Sequence, residues 1–446
     1  MTGFPKEWSP HRLDELSDIV DSLHKTPSYS PSGYPMVRVT DVQTGFLELT
    51  SAQFVAHEVF REFTRRCLPQ FGDIIISRVG TYGNVALVHT NAEFCLGQNT
   101  ALIRPKIDYR FLHYALQSPF VKNQIENVVV GSTQKTVSLS SMRNLIIPVP
   151  STSEITQIAA VLGALDDKIE LNRRMNATLE GLARALFKAW FVDFEPVRAR
   201  MAGRPTGLPA EIDALFPDEM AVGEEGVERP RGWRVEPLSQ HVTVTKGISY
   251  KGDYLSGRND GLPMHNLNSV YEGGGYKHEG LKWYSGEYKE RHVLKPGDLI
   301  VTNTEQGFEY LLIGFGAIVP KRYGDMGLFS HHIYRVSFAY DSPLRAPYLY
   351  YLLRTPVFHD VVAGYTNGTT VNMLSADGLQ KPLVVVPSKE ILDRFYAFAT
   401  PILDRIERIY DENVILAALR DGLLPKLMSG EVRVALDQHS VEYAPL

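Results

Sequence analysis

At 446 residues the chain has room for about three domain equivalents. Its 44 % hydrophobic and 22 % charged residues are ordinary for a globular protein, and no apolar run approaches the ~20 residues of a membrane span, which excludes a conventional helical membrane protein. The net charge of −5 argues at first against a polyanion partner, but Glu211, Asp213, Asp218, Glu219, Glu224, Glu225 and Glu228 crowd one stretch without Lys or Arg, leaving +2 elsewhere and room for a modest basic face on each domain.

The opening MTGFPKEWSPHRLDEL has neither the basic start nor the apolar core of a secretion signal, so the expected location is the cytoplasm. Trp8 and Leu13 open a first domain. Strands are predicted at 36–42, 72–76 (GDIII), 85–89, 100–104 and 144–148, with one helix at Tyr109–Gln117. Cys67 and Cys95 fall here without counterparts later, so ordinary buried thiols are expected rather than a metal or disulfide framework.

GSTQKTVSLSSMRNLIIPVPS, ending at Ser151, returns as GTTVNMLSADGLQKPLVVVPS, ending at Ser388, with six identical positions at an offset of 237. The register continues without a gap. Leu165, Asp167, Ile169, Asn176, Leu179, Leu182 and Leu186 fall on Ile402, Asp404, Ile406, Asn413, Leu416, Leu419 and Leu423. A period this long marks a duplicated domain followed by its own long helix. Residues 164–190 would make a helix of 27 residues, about 40 Å at ~1.5 Å per residue, beginning or bending at Gly163. In the second copy Thr400 and Pro401 resemble an N-cap and a first helical position.

A heptad-like seam is expected to run through Leu165, Ile169, Asn176, Leu179, Ala183 and Leu186 of the first helix and Ile402, Ile406, Ile409, Asn413, Leu416 and Leu423 of the second. Asn176 and Asn413 share a seam position and would set register; the alternative is a solvated edge. Between the copies, the Pro, Gly and acid-rich segment reads as an exposed connection pinned by a short apolar turn at 212–216.

The second domain opens at Trp233 and Leu238, an offset of only 225, so it has gained twelve residues by the time the offset reaches 237. Its predicted strands are 297–301 (GDLIV), 313–319, 332–338 and 383–386, with a helix at 346–354. Each domain therefore reads as strand-rich α+β. After Arg433 the tail has no pattern.

Signatures of chemistry are missing. There is no GxxxxGK[ST] loop, GxSxG elbow, HExxH or paired CxxC. His331 and His332 would point to opposite faces of a strand and share no metal, and Asp193 with Glu195 read as solvated helix-end acids. Two similar domains on a helical spacer without catalytic machinery suit recognition of an extended or bipartite target.

The residues from Ile147 to Ala199, the GLPAEIDALFP that follows, and the strand pieces MVRVTDVQTGFL, GDIIISRVGTYGNVALV and GSTQKTVS resemble the specificity (S) subunit of type I restriction-modification systems. The likeness covers essentially the whole chain. It implies two target recognition domains, 1–150 and 230–387, a central conserved helical region at 151–195, an acidic Pro/Gly linker at 196–229, a distal conserved helical region at 388–435 and a tail at 436–446. The fold class is α+β, two similar strand-rich α/β domains separated by two long helices pairing as an antiparallel coiled coil. The resemblance further implies that each domain reads half of a split double-stranded DNA sequence, that the helices dock two methyltransferase (M) subunits, and that restriction (R) subunits join this core. The complex would methylate adenine at N6 or cleave unmodified DNA. S-adenosylmethionine, ATP and magnesium would belong to the partners, with no cofactor in this chain.

Half-sites on one face of DNA repeat every ~34 Å, so a spacer of about 40 Å has the right scale. Base or phosphate contacts are expected from two loops per domain. The first domain offers Arg78, Thr81, Tyr82 and Asn84, then Ser132, Thr133, Gln134 and Lys135; the second offers Asn303, Thr304, Glu305 and Gln306, then Asn367, Thr369, Thr370 and Asn372. Arg78 and Lys135 suit phosphate better than bases. For each residue the competing role is an ordinary loop hydrogen bond or plain solvation. Leu186, Phe187, Trp190 and Phe191 are candidates for partner docking or, equally, for packing beneath a domain. Alternatives from other classes are a coiled-coil scaffold joining two protein ligands and a nuclease with a degenerate site near Asp193 and Glu195.

Overall fold

The computed structural model describes residues 4–129, 131, 135–224, 226–257, 260–307, 309–368 and 371–434. Contacts divide the chain into unit 1, Met1–Asn172 with Glu412–Leu446, and unit 2, Arg173–Asp411. Each unit thus contains one domain and a segment of each long helix.

Both domains begin alike. Trp8 N–H donates to Pro5 O and Trp233 N–H to Pro230 O, each at 3.1 Å, and both indoles are buried. The next four residues form a strand that the sequence patterns missed, because Ser9–Arg12 and Arg234–Pro237 are short and polar. Each pairs antiparallel with the last strand of its own domain. Ser9 faces Val149 and Arg12 faces Ile146; Arg234 faces Val386 and Pro237 faces Leu383. The first members of these pairs differ by 225 and the second by 237, so both offsets meet in one register. Leu13 N–H then donates to Leu145 O at 2.9 Å and Leu238 N–H to Pro382 O at 3.0 Å, and both leucines are fully buried.

The main sheets repeat as well. In unit 1 the order runs Ser17–Asp21, Thr100–Pro105, Ile74–Ser77 and Val85–Leu87, ending on Gly45–Phe46. In unit 2 it runs Val242–Lys246, Ile333–Phe338, Leu299–Thr302 and Gly316–Ile318. Ile74 faces Ile103 as Leu299 faces Val336. Strands Ile74–Ser77 and Leu299–Thr302 are buried throughout and carry no alternation, because both faces are covered. The twelve extra residues are not lost in one insertion. The offset is 225 at Leu299, 231 at Gly316, 233 at Ile333 and 237 at Ala346, so half the excess sits in the loop after the Gly-Asp strand.

Several local expectations are corrected. The segment 36–42 splits into strand Tyr34–Val37 and a 3-10 turn at Val39–Asp41, because the Asp41 carboxylate accepts from Arg38 N–H at 2.8 Å and folds the chain over. His331 and His332 lie in a turn before Ile333, and their rings face each other at 3.9 Å instead of diverging. Helices His57–Thr64, Pro119–Val128 and Pro356–Ala363 were not anticipated.

The long helices start earlier than Gly163 and Pro401 suggested. They span Thr152–Phe191 and Lys389–Ser429, 40 and 41 residues, or about 60 Å each at ~1.5 Å per residue. The caps are the duplicated serines. Ser151 Oγ accepts from Glu154 N–H at 3.3 Å while the Glu154 carboxylate accepts from Ser151 N–H at 3.3 Å, a capping box; Ser388 Oγ accepts from Ile391 N–H at 3.4 Å. Gly163 serves packing instead. A Cβ there would stand 2.3 Å from Arg110 Nη1, and Arg110 crosses this spot to grip Asp167 through bonds of 2.8 and 3.0 Å.

In unit 1 the helix segments run antiparallel, with Asp166 held by Arg420 at 2.7 Å and Lys168 3.3 Å from Glu412. Of the expected seam, Ile169, Ala183, Ile402 and Ile409 are buried, and Leu165, Leu179, Leu186, Ile406, Leu416 and Leu423 are half-buried. The asparagines do not pair with each other. Asn176 Nδ2 donates to Ile406 O at 3.2 Å in unit 2, and Asn413 Nδ2 donates to Ile169 O at 3.5 Å in unit 1. Ile406 and Ile169 are themselves related by 237, so each copy makes the same bond. Asn413 is met by Asn172, fully buried, whose Nδ2 donates to Asn413 Oδ1 at 2.9 Å. The position equivalent to Asn172 is Ile409.

Each domain is tied to the helix segments of its own unit through a repeated tyrosine. Tyr114 Oη donates to Asp166 at 2.7 Å, and Tyr351, 237 residues on, donates to Glu180 at 3.3 Å. Asp404, the counterpart of Asp167, is held by Lys321 at 3.1 Å. The linker is less exposed than composition suggested. Its first part forms helix Glu195–Met201 with Pro196, Val197 and Ala199 buried, and Phe216 packs edge-on to Trp190 at 5.2 Å.

Candidate nucleic-acid interface

The two loops named in each domain come together. In unit 1 strand Ile74–Ser77 runs into a turn that closes on itself, with Gly83 N–H on Ser77 O at 2.8 Å and Asn84 N–H on Ser77 Oγ at 3.1 Å. Gly80 and Gly83 take φ of +73° and +79°, which the turn requires and other residues resist. The second loop lies alongside. Gly80 N–H donates to Lys135 O at 3.2 Å and Val137 N–H to Arg78 O at 2.9 Å.

Arg78 is not available to DNA. It is 8 % exposed, its Nε donates to Val137 O at 3.2 Å, and its guanidinium is paired with Asp21. Asn84 Nδ2 is engaged by Val42 O at 3.2 Å. Thr81 and Lys135 stay exposed, and Lys135 reaches over the Tyr82 ring at 5.7 Å while Tyr82 Oη donates to Glu126 at 2.9 Å. Ser132, Thr133 and Gln134 lie outside the described residues.

In unit 2 strand Thr304–Gln306 pairs with Val371–Leu374, which pairs with Thr366–Asn367. Most named residues are structural here. Glu305 is 7 % exposed and its carboxylate accepts from the N–H groups of Leu311, Leu312 and Ile313 at 2.8–2.9 Å, closing the lengthened loop. Asn303 donates to His331 O at 3.1 Å, Thr304 to Asn303 Oδ1 at 2.7 Å, and Asn372 to Gly307 O. Gln306 and Asn367 remain exposed; Thr369 and Thr370 lie outside the described residues. The corrected exposed set is therefore Thr81, Lys135, Gln306 and Asn367, with Tyr82 half-buried. Sequence reasoning missed that a polar residue directly after a buried strand first satisfies the loop's own backbone.

The proposed docking cluster is also corrected. Phe187, Trp190 and Phe191 are 1–4 % exposed, and Leu186 packs partly buried against the same core with Tyr348, Tyr351, Trp233 and Phe395. Among the outward apolar residues of the helices are Leu182 at 51 % in unit 2 and Leu419 at 49 % in unit 1, again 237 apart. Asp193 is held by Lys188 at 2.5 Å and Glu195 by Arg204 at 3.1 Å, so these acids are separately neutralised. Cys95 is buried, which pushes its thiol up to about 12, and Cys67 is half-buried.

Unit 2 has an open pocket of about 660 Å³ lined by residues that include Asn176, Tyr271, Tyr276, Tyr410 and Glu407. His278 stacks on Tyr410 at 3.6 Å with Nε2 3.9 Å from Glu407. Burial, with Asp411 beside it, pushes Glu407 up to about 7, while burial, with Arg322 nearby, pushes His278 down to about 3. Near pH 6 both are predominantly neutral, so the contact is not an ion pair. Glu407 keeps its proton to higher pH when folded than an ordinary glutamate at 4.5, so its cost is absent below about 4.5 and grows as pH rises through about 7. Glu407→Gln is expected to stabilise the protein by roughly 2 kcal/mol at pH 8, discounted for its partly exposed side chain, and by almost nothing at pH 4.5. Denaturant unfolding at both values checks this, and a pH-independent difference would refute it.

Comparison with known proteins follows the same lines. Residues 5–181 match the family model for the type I restriction modification DNA specificity domain. The chain is 23 % identical to the type I restriction enzyme MjaIX specificity subunit of Methanocaldococcus jannaschii, covering 96 % of this chain and 94 % of that one. It is 26 % identical to the HindI specificity subunit of Haemophilus influenzae over 66 % of this chain and 71 % of the relative. Among solved structures, the type I S subunit from M. genitalium shares the fold with a TM-score of 0.52 at 16 % identity, covering 96 % and 97 % of the two chains. Among the described residues no helix is long and apolar enough to cross a membrane.

Proposed function

We infer that this chain, a specificity subunit of the type I restriction-modification family, is the DNA target-recognition component of its complex and reads a bipartite, asymmetric double-stranded sequence, one half per domain. The observation that carries the finer reading is the duplication itself: two domains of the same strand order, each presenting a paired-loop surface after its Gly-Asp strand. Their frames match and their loops differ, which suits two different half-sites. Exposed Thr81 and Lys135 in one domain and Gln306 and Asn367 in the other supply groups suited to base edges and phosphates.

The chain is non-catalytic, and the chemistry belongs to partners. Two methyltransferase subunits dock on the helices, for which Leu182 and Leu419 offer equivalent apolar points, and restriction subunits complete the assembly. S-adenosylmethionine, ATP and magnesium act in those partners, in the cytoplasm. Methylation mapping tests the reading. Co-expression with a cognate methyltransferase is expected to mark adenines in one bipartite motif, and exchanging residues 1–150 for those of a relative should change one half of it only. An unchanged motif, or a change in both halves, would refute the division of labour.

A further inference from the structure

Unit 1 carries a basic site away from the residues considered so far. Arg65 and Arg66 follow helix His57–Thr64, are exposed, and have no carboxylate partner among the described residues. The acids around them are already taken. Glu62 is held by Lys25 at 2.7 Å, Asp73 by Arg104 at 2.7 Å, Asp18 by Lys106 at 2.7 Å, and Asp21 by Arg78 and, at 2.9 Å, His24. Two clefts of about 360 and 380 Å³ are both lined by Arg65, Arg66 and Cys67. Ser22, 5 % exposed, lines the first cleft with its hydroxyl unpartnered. Asp21 in the same wall grips Arg78, the first residue of the turn that presents Thr81.

Two guanidinium forks free of counter-charge, beside clefts and with neighbouring carboxylates neutralised, are suited to the phosphate group, which takes paired N–H donors. We propose that Arg65 and Arg66 form a phosphate clamp that holds the DNA backbone beside the first domain's reading turn. The proposal rests on the DNA-recognition reading. The phosphate belongs to a duplex rather than to a free anion, because the cleft wall and the reading turn are joined through Asp21 and Arg78. The same place in the second domain is built differently: where the first has helix His57–Thr64, the second has the 3-10 turn Glu290–His292.

The test compares the full chain with Arg65→Ala/Arg66→Ala and Arg65→Lys/Arg66→Lys, using anisotropy on the mapped target duplex and an unrelated duplex across a salt series. The alanine pair is expected to weaken both duplexes by a similar factor, roughly tenfold or more, and to flatten the slope of log affinity against log salt by about 1 to 2, one for each phosphate no longer neutralised. The lysine pair retains most of the slope. Cys67 adds an independent readout, since Cys95 is buried: target duplex should slow its alkylation several-fold, whereas inorganic phosphate at millimolar concentration should not. Unchanged affinity and slope in the alanine pair, while the parent binds DNA, overturn the clamp alone. So does loss confined to the target duplex, or protection of Cys67 by inorganic phosphate without any effect of DNA. Failure of the parent chain to bind either duplex overturns the DNA reading and the clamp together.

Discussion

Phe187→Ala is expected to lower the stability of unit 2 by about 3–5 kcal/mol, the usual cost of truncating a buried aromatic and leaving a cavity. Phe187 is 1 % exposed and meets Phe191 and Tyr348 at 5.2 Å, Phe395 at 5.6 Å and Tyr351 at 5.9 Å. Those rings come from both long helices and the second domain's own helix, so no one element can move in to fill the space. Phe187→Leu should cost less than half as much. Denaturant unfolding followed by near-ultraviolet circular dichroism measures both. A stable Phe187→Ala chain that had lost only its methyltransferase partner would restore the docking role and contradict the packing described here.

Glu180→Ala is expected to cost unit 2 a similarly large sum, about 3–5 kcal/mol, because it strands a buried cation. Glu180 accepts from Tyr350 at 3.2 Å, Tyr351 at 3.3 Å and the Arg354 guanidinium, whose side chain is only 12 % exposed. Without the carboxylate, Arg354 keeps Gly273 O and the Tyr350 hydroxyl but no counter-charge. The double change Glu180→Met/Arg354→Leu should recover much of the loss, since an apolar pair of similar volume avoids desolvating either ion. The measurement is a double-mutant cycle in denaturant, with Glu180→Met and Arg354→Leu as its single variants. Additive single effects, with no recovery in the double variant, would mean that the pair contributes nothing as a pair.

The frame of this molecule was legible because duplication exposes it. Leu13 with Leu238, Ser151 with Ser388 and Asp167 with Asp404 all occupy matching places, and helix Tyr109–Gln117 lies where its apolar pattern placed it. The helix starts were misjudged for a physical reason. Gly163 and Pro401 resemble helix starts locally, but Gly163 makes room for Arg110 and the capping serines lie about three turns earlier. The site was less readable. Side-chain type marks Arg78, Glu305 and Asn372 as suited to DNA, yet burial and three-dimensional partners commit them to the loops themselves. Arg65 and Arg66 escaped notice for the converse reason: freedom from partners is invisible until the neighbouring acids have been placed.

The pairing of each domain's first strand with its last has a further consequence. A segment whose entry and exit are fastened to each other, Ser9–Arg12 on Ile146–Val149 and Arg234–Pro237 on Leu383–Val386, is a cassette with its own clasp. Lengthening a loop inside the clasp shifts neither end, which is how twelve extra residues enter the second domain while Ser388 still caps its helix as Ser151 does. Mutational drift in the reading surface is thereby insulated from the helical frame, and a new binding preference can arise without renegotiating the assembly.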